Sequence, residues 1–183
     1  MPTSHLILGG ARSGKSRFAL ATMPPRARVA FVATAEARDP DLAARIARHR
    51  AERPASWATV EAPIALVDAL DGLAGRVDVA LVDCLTLWVA NRMLRGDDEA
   101  VVLGEIDRLA ALMARRPFDL TLVSNEVGQG VHPPTAEGLR FQDLLGLVNQ
   151  RVAAAADRVT LVVAGLPLTL KAPAPVDVAL QSP

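Results

Sequence analysis

Apolar residues gather in five short runs, at 6–8, 29–33, 79–82, 120–123 and 159–163. Between most of these runs the apolar positions recur every three or four residues, the spacing of one helix face. Buried strands alternating with helices predict an α/β fold built on a mostly parallel sheet. Asp39 and Pro40 supply a cap and a first-turn proline for a helix over 39–50. A short strand is expected over 57–61, then helices from 62 to about 73, 85–93, 97–115 and 138–157. In the 97–115 helix the apolar positions are Val101, Ile106, Leu109 and Leu112. In the 138–157 helix they are Leu144, Leu147, Val148 and Val152, with Arg140, Asn149 and Arg151 placed elsewhere. Gly165 to Lys171 reads as a terminal hairpin strand. One domain is expected over residues 1–171, with 172–183 as a patternless tail, extended or disordered.

The first apolar run leads into Gly9, Gly10, Ala11, Arg12, Ser13, Gly14, Lys15 and Ser16, the spacing of a phosphate-binding P-loop. Glycines let the backbone turn its N–H groups toward one anion. Lys15 brings an ammonium to the β- and γ-phosphates, and the Ser16 hydroxyl suits Mg2+. A glycine-rich turn between strand and helix is the plain alternative, but the strand–loop–helix setting argues against it. A nucleotide follows from this loop; a reaction does not.

Other candidates come from strand ends, where ligands of parallel sheets sit. Thr34, Ala35 and Glu36 follow the second run and either line the nucleotide site or form an ordinary loop. The fourth strand signal, 79–82, ends at Asp83, which can hold Mg2+ or cap the next helix. Glu61 closes the short strand and can meet a ligand or cap the following helix. Arg45, His49 and Arg53 share one helical stripe. An imidazole among guanidiniums favours its neutral, nucleophilic form, although a solvated basic face has the same spacing. Ser124 to Gly130 reads as a further active-site loop, since polar groups and glycines follow a buried-type strand. His132, beside Pro133 and Pro134, reads as a solvated loop residue.

Composition narrows the class. Lys plus Arg and Asp plus Glu both total 20, so no overall field draws nucleic acid or an anionic membrane. The single cysteine, Cys84, excludes an internal disulfide framework and a cysteine-rich zinc site. No membrane-length apolar segment or signal-like start is apparent, so a soluble protein without a membrane anchor is expected.

Several segments together resemble the bifunctional adenosylcobinamide kinase/adenosylcobinamide-phosphate guanylyltransferase family over residues 5–171. They are the P-loop, Ala44-Arg45-Ile46-Ala47-Arg48-His49-Arg50 through Arg53-Pro54, Ser124 to Gly130, and Val148-Asn149-Gln150-Arg151 through Ala164-Gly165. The resemblance implies a RecA-like P-loop NTPase fold, a cytoplasmic homotrimer and two reactions. ATP or GTP phosphorylates adenosylcobinamide; GTP then donates GMP to that phosphate through a guanylylated histidine. His49 takes that role, with Lys15 on the phosphates. Thr34, Ala35, Glu36, Arg50, Ala51, Glu52, Arg53, Glu61 and Asp83 correspond to the walls of the guanosine site. Asp83 stands where relatives use glutamate, keeping the charge with a shorter reach. Two other readings remain at this level: a P-loop kinase of another small metabolite, and a RecA-like nucleotide-dependent regulatory module.

Overall fold

A computed structural model describes residues 1–37, 43–44, 47, 50–51 and 53–173. His49, Glu52, most of the 39–50 helix and residues 174–183 therefore lie outside the described residues. Seven strands form one sheet: β1 (Ser4–Gly9), β2 (Val29–Ala33), β3 (Ala58–Glu61), β4 (Val79–Asp83), β5 (Asp119–Asn125), β6 (Arg158–Val163) and β7 (Leu166–Lys171). Their order is β3-β2-β4-β5-β1-β6-β7, parallel throughout except for the β6–β7 pair. Among the described residues, the helices with both ends defined are α1 (Lys15–Ala21), α2 (Leu66–Asp71), α3 (Leu85–Leu94), α4 (Glu99–Arg115) and α5 (Ala136–Ala155).

Strand side chains alternate between two unequal cores. Leu6, Leu8, Val32, Val82 and Leu122 join Leu70, Trp88, Ile106, Leu109 and Leu144 in the larger one. Ile7, Phe31, Leu81, Val123 and Val162 face Ala19 of α1 in a smaller one, flanked by the partly buried Phe18 and Trp57. Each fully buried Leu or Ile contributes about 1.5–3 kcal/mol from removal of apolar area from water. The thinner face is the one that carries the P-loop helix.

Three sequence expectations shift. The helix expected from 62 begins at Leu66, because the carbonyls of Pro63 and Ile64 bond to Asn91 Nδ2 at 3.2 Å and Trp88 Nε1 at 2.8 Å. Side chains of α3 thereby satisfy backbone groups that a longer helix would use itself. In α4, Val101 is 47% exposed and Val102 is buried in its place. In α5, Leu147 is exposed, while Leu145 and the polar Asn149 are buried.

β7 doubles back through Ala164 and Gly165, both at positive φ (52° and 81°), the turn that matches the twist of paired strands. Pro167 is tolerated because β7 is an edge strand. Lys171 Nζ donates to the carbonyls of Ala153 and Ala154 at 3.1 and 2.8 Å, closing the C-terminal end of α5 with a cation.

At the opposite end of β1 from the P-loop, His5 Nε2 lies 2.8 Å from Thr160 Oγ1. Burial, reinforced by the charge of Arg158, lowers its pKa from 6.5 to about 4. The unfolded chain therefore binds the proton more readily than the native one. Stability from this group is complete above the unfolded value of 6.5 and is lost as pH falls toward 4. Discounted for partial exposure, the loss is about 1–2 kcal/mol. Denaturant midpoints for wild type and His5→Gln should converge as pH is lowered from 7 to 5; a constant difference would contradict this origin.

Candidate active site

The parallel strands deliver their C-terminal ends to one rim, and register sets which residues stand level there. Glu61, Ala33 and Asp83 align across β3, β2 and β4. Gly9 aligns with Asn125 on one side and Val162 on the other. β5 separates β4 from β1, so Asp83 stands two strand spacings, about 10 Å, across the sheet from β1, level with Ile7 and two residues short of Gly9. A phosphate chain and a hydrated cation fit that interval.

Sterics specify the loop itself. A Cβ at Gly9 would lie 2.5 Å from Ser13 Oγ and 2.7 Å from the Val162 carbonyl, so the loop closes only over glycine. Gly14 has a φ of 94° and sits at the N-cap of α1. Its neighbour Ser13 donates its N–H to the Gly10 carbonyl at 3.3 Å and accepts from Gly165 N–H at 2.8 Å. The β6–β7 turn is thus a buttress under the P-loop. Lys15 is buried, and its ammonium donates to the Gly10 carbonyl at 3.1 Å, folding it back over the loop. This is the pose that a bound phosphate chain can take over. Ala11 and Arg12 are exposed at the tip, Arg12 with a φ of 57°.

The β2 and β4 ends are tied together beneath the rim. Thr34 is wholly buried: its hydroxyl donates to the Cys84 carbonyl at 2.7 Å and accepts from Cys84 N–H at 2.8 Å. Its own carbonyl accepts from Asn91 Nδ2 at 2.7 Å. The expected place of Thr34 in the nucleotide wall is thus a place behind it, bracing Asp83 and its neighbour. The Asp83–Cys84 peptide is cis. Thr34→Val keeps the shape but removes the partner of Cys84 N–H and one of two donors to the Cys84 carbonyl, which still accepts from Trp88 N–H, a loss of about 1–3 kcal/mol. Urea unfolding of this variant measures it; a loss below about 0.5 kcal/mol would show that the pairing is dispensable.

Both capping alternatives fail. α3 is capped by Cys84 and α2 by Ala65, neither through a side-chain bond, so Asp83 and Glu61 are not helix caps. Glu61 is instead 3.9 Å from Arg50 in an exposed pair. Arg53 leaves the solvated stripe, its guanidinium lying 3.3 Å over the ring of Phe31. Burial lowers its pKa, the nearby Asp83 carboxylate opposes that, and Arg50 adds to it. Arg53 and Asp83 therefore meet on the face of the sheet that holds α1. Ala35 and Glu36 are half-buried at the same rim, and the described residues 43, 44, 47, 50 and 51 are helical and exposed.

The family described as cobinamide kinase / cobinamide phosphate guanyltransferase matches residues 5–170. The chain belongs to that family. The bifunctional adenosylcobalamin biosynthesis protein CobP of Pseudomonas aeruginosa is 47% identical over 168 residues, covering 91% of this chain and 96% of the relative. Its counterpart CobU of Escherichia coli is 38% identical over 178 residues, covering 91% and 98%. Among solved structures, an ATPase from a bacterial type III secretion system superposes with a TM-score of 0.55 at 12% identity. That superposition covers 91% of this chain and 56% of the ATPase, and it shows a shared P-loop NTPase fold.

In this cobinamide kinase/guanyltransferase family member, one polar cluster was not legible from residue spacing. Ser124, fully buried, donates to Asn149 Oδ1 at 2.6 Å. Asn149 Nδ2 donates to the Asn125 carbonyl at 2.9 Å and reaches Glu126 Oε1 at 3.4 Å. Thr86 Oγ1 accepts from Asn125 N–H at 2.8 Å. The loop after β5 is therefore fixed from two helices, α3 and α5. The only sequence signal was the pairing of an exposed-looking asparagine in α5 with the polar residues that follow β5.

The donor set for magnesium was tested on its chemistry. Ser16, in the first turn of α1, and Asp83, at the end of β4, each offer a hard oxygen at this rim. No cluster of three or more His, Cys, Asp or Glu suited to a metal occurs among the described residues. Magnesium held mainly by phosphates and water needs only one or two protein oxygens, so these residues fit it.

Proposed function

We propose that the protein phosphorylates adenosylcobinamide with ATP or GTP and then transfers GMP from GTP to the resulting phosphate, forming adenosylcobinamide-GDP in cobalamin biosynthesis. The observation that carries this reading is the family match across residues 5–170, which spans both the P-loop and the segment bearing His49.

Phosphoryl transfer needs little covalent help from the protein, because positioning and charge neutralisation account for most of it. The P-loop N–H groups and Lys15 hold the phosphate chain, and α1 adds its positive end. Ser16 and Asp83 would hold Mg2+, which when bound withdraws charge from the phosphate oxygens. In the second reaction the imidazole of His49 attacks the α-phosphorus, forming an N–P bond as the bond to the departing pyrophosphate breaks. Lys15 stabilises the charge on pyrophosphate. An oxygen of adenosylcobinamide phosphate then attacks the same phosphorus and breaks the N–P bond; the electron pair returns to the ring nitrogen, and the imidazole, keeping the proton on its other nitrogen throughout, leaves neutral. Arg50, Ala51, Glu52, Arg53, Glu61, Thr34, Ala35 and Glu36 form or brace the guanosine wall. The Arg53 guanidinium already stands 3.3 Å over the ring of Phe31.

The homotrimer has a surface to use. Val163, Leu166, Leu168 and Leu170 are 57%, 72%, 56% and 54% exposed along the β6–β7 hairpin. An apolar edge strand of this kind is normally covered in the working assembly. A cytoplasmic setting agrees with the lone reduced Cys84, and no described helix is long and apolar enough to cross a membrane.

Incubation with adenosylcobinamide, GTP and magnesium, followed by mass spectrometry, should give adenosylcobinamide phosphate first and adenosylcobinamide-GDP with pyrophosphate later. Nucleotide hydrolysis without either corrinoid product would reject the reading.

A further inference from the structure

The geometry points to the cavity between the β5–α5 loop and α5 as the pocket for the acceptor alcohol, with Glu126 as the base that receives the hydroxyl proton in the kinase step. The inference rests on the kinase reading above and adds the acceptor site and its catalytic residue.

The cavity has a volume of about 400 Å³, and Glu126, Val127, Gln142, Gly146 and Leu147 are among its walls. One wall adjoins the phosphate loop: Glu126 N–H donates to the Gly9 carbonyl at 3.2 Å, so its backbone is bonded directly to the first P-loop glycine. A molecule in this cavity thus approaches the phosphate chain from the β5 side. Ser16 and Asp83, the magnesium candidates, lie elsewhere on the rim, on α1 and at the end of β4. The walls mix amide and carboxylate groups with two apolar side chains, which suits an uncharged acceptor rich in hydrogen-bonding groups rather than a second nucleotide.

The Glu126 carboxylate is oriented, not loose. Ser124 fixes the amide of Asn149 by donating to Oδ1, and Asn149 Nδ2 then faces Glu126 Oε1 at 3.4 Å. A carboxylate held by one oxygen can present the other to a hydroxyl. Other described candidates are less well placed. His5 is at the far end of β1 with its ring on Thr160, and His132 is an exposed loop residue. Asp143 also lines the cavity, but its carboxylate is on the exposed side of α5.

The step balances. The alcohol oxygen bonds to the γ-phosphorus as the bond from that phosphorus to the β–γ bridging oxygen breaks. The electron pair leaves with the nucleoside diphosphate, and the hydroxyl proton passes to Glu126. Guanylyl transfer to the phosphate acceptor has no such proton to remove, so it makes no demand on this carboxylate.

Two variants test the assignment with adenosylcobinamide and with pre-formed adenosylcobinamide phosphate. Glu126→Gln should lower the kinase kcat about 100-fold, while guanylyl transfer to the pre-formed phosphate changes far less and shows that the variant is folded. At Gly146 an added Cβ meets nothing within 4 Å, so Gly146→Leu can fill the cavity without disturbing its neighbours. It should raise KM for adenosylcobinamide at least about tenfold with KM for the nucleotide unchanged. Equal slowing of both half-reactions by Glu126→Gln, or a kinase rate like wild type, would overturn the role of Glu126. An unchanged KM in Gly146→Leu would overturn the pocket. Wild-type protein that moves no γ-phosphate to adenosylcobinamide would overturn the kinase reading, and this inference with it.

Discussion

Lys15→Ala should lose both activities together, each falling about 1,000-fold or more in kcat/KM. The ammonium is buried and folded onto the Gly10 carbonyl, so it stands over the loop before any nucleotide arrives. In the kinase step it meets charge on the transferred phosphoryl group, and in guanylyl transfer it meets charge on the departing pyrophosphate. Both charges belong to the same phosphate chain, so one deletion removes both kinds of stabilisation. Parallel assays of γ-phosphate transfer and pyrophosphate release check this. Loss of one activity with the other intact would mean that the two reactions use separate triphosphate sites.

His49→Ala should separate the two reactions. Without its nucleophile, guanylyl transfer should fall by at least about 1,000-fold, since removal of a covalent nucleophile costs more than its hydrogen bonds. The kinase step as proposed uses the P-loop, Lys15 and the acceptor pocket, none of which includes His49, and should stay near the wild-type rate. The measurement is the ratio of adenosylcobinamide-GDP to adenosylcobinamide phosphate at long times. Wild type should drain the phosphate, whereas the variant should accumulate it.

Local chemistry was the legible part of this molecule. Gly9 to Ser16 could be read because a phosphate loop is set by adjacent residues, and the structure adds the reason for Gly9 in the nearby Val162 carbonyl. The place of Asp83 at the end of β4 could be read because a buried strand ending in an acid is a contiguous pattern. That Glu61, Ala33 and Asp83 stand level was not legible, since strand register depends on pairing between distant segments. Periodicity also located helices better than it centred their buried faces. Val101 and Leu147 belong to the expected apolar stripes, yet Val102 and Leu145 occupy the interior, because neighbouring apolar residues leave the centre of the stripe to tertiary packing. Thr34 and Asn149 carried the least signal. Each is a polar residue whose burial makes sense only once its distant partners, Cys84 and Asn91 or Ser124 and Glu126, are in place.

In the proposed function one triphosphate site serves both reactions, the nucleotide being cut at the γ-phosphorus in one and at the α-phosphorus, by His49, in the other. Incubating the protein with magnesium and GTP labelled at the α-phosphate tests it most directly. A protein-bound, acid-labile GMP label is expected, absent from His49→Ala and discharged by adenosylcobinamide phosphate. Wild-type protein that forms adenosylcobinamide-GDP without ever holding the label would contradict it.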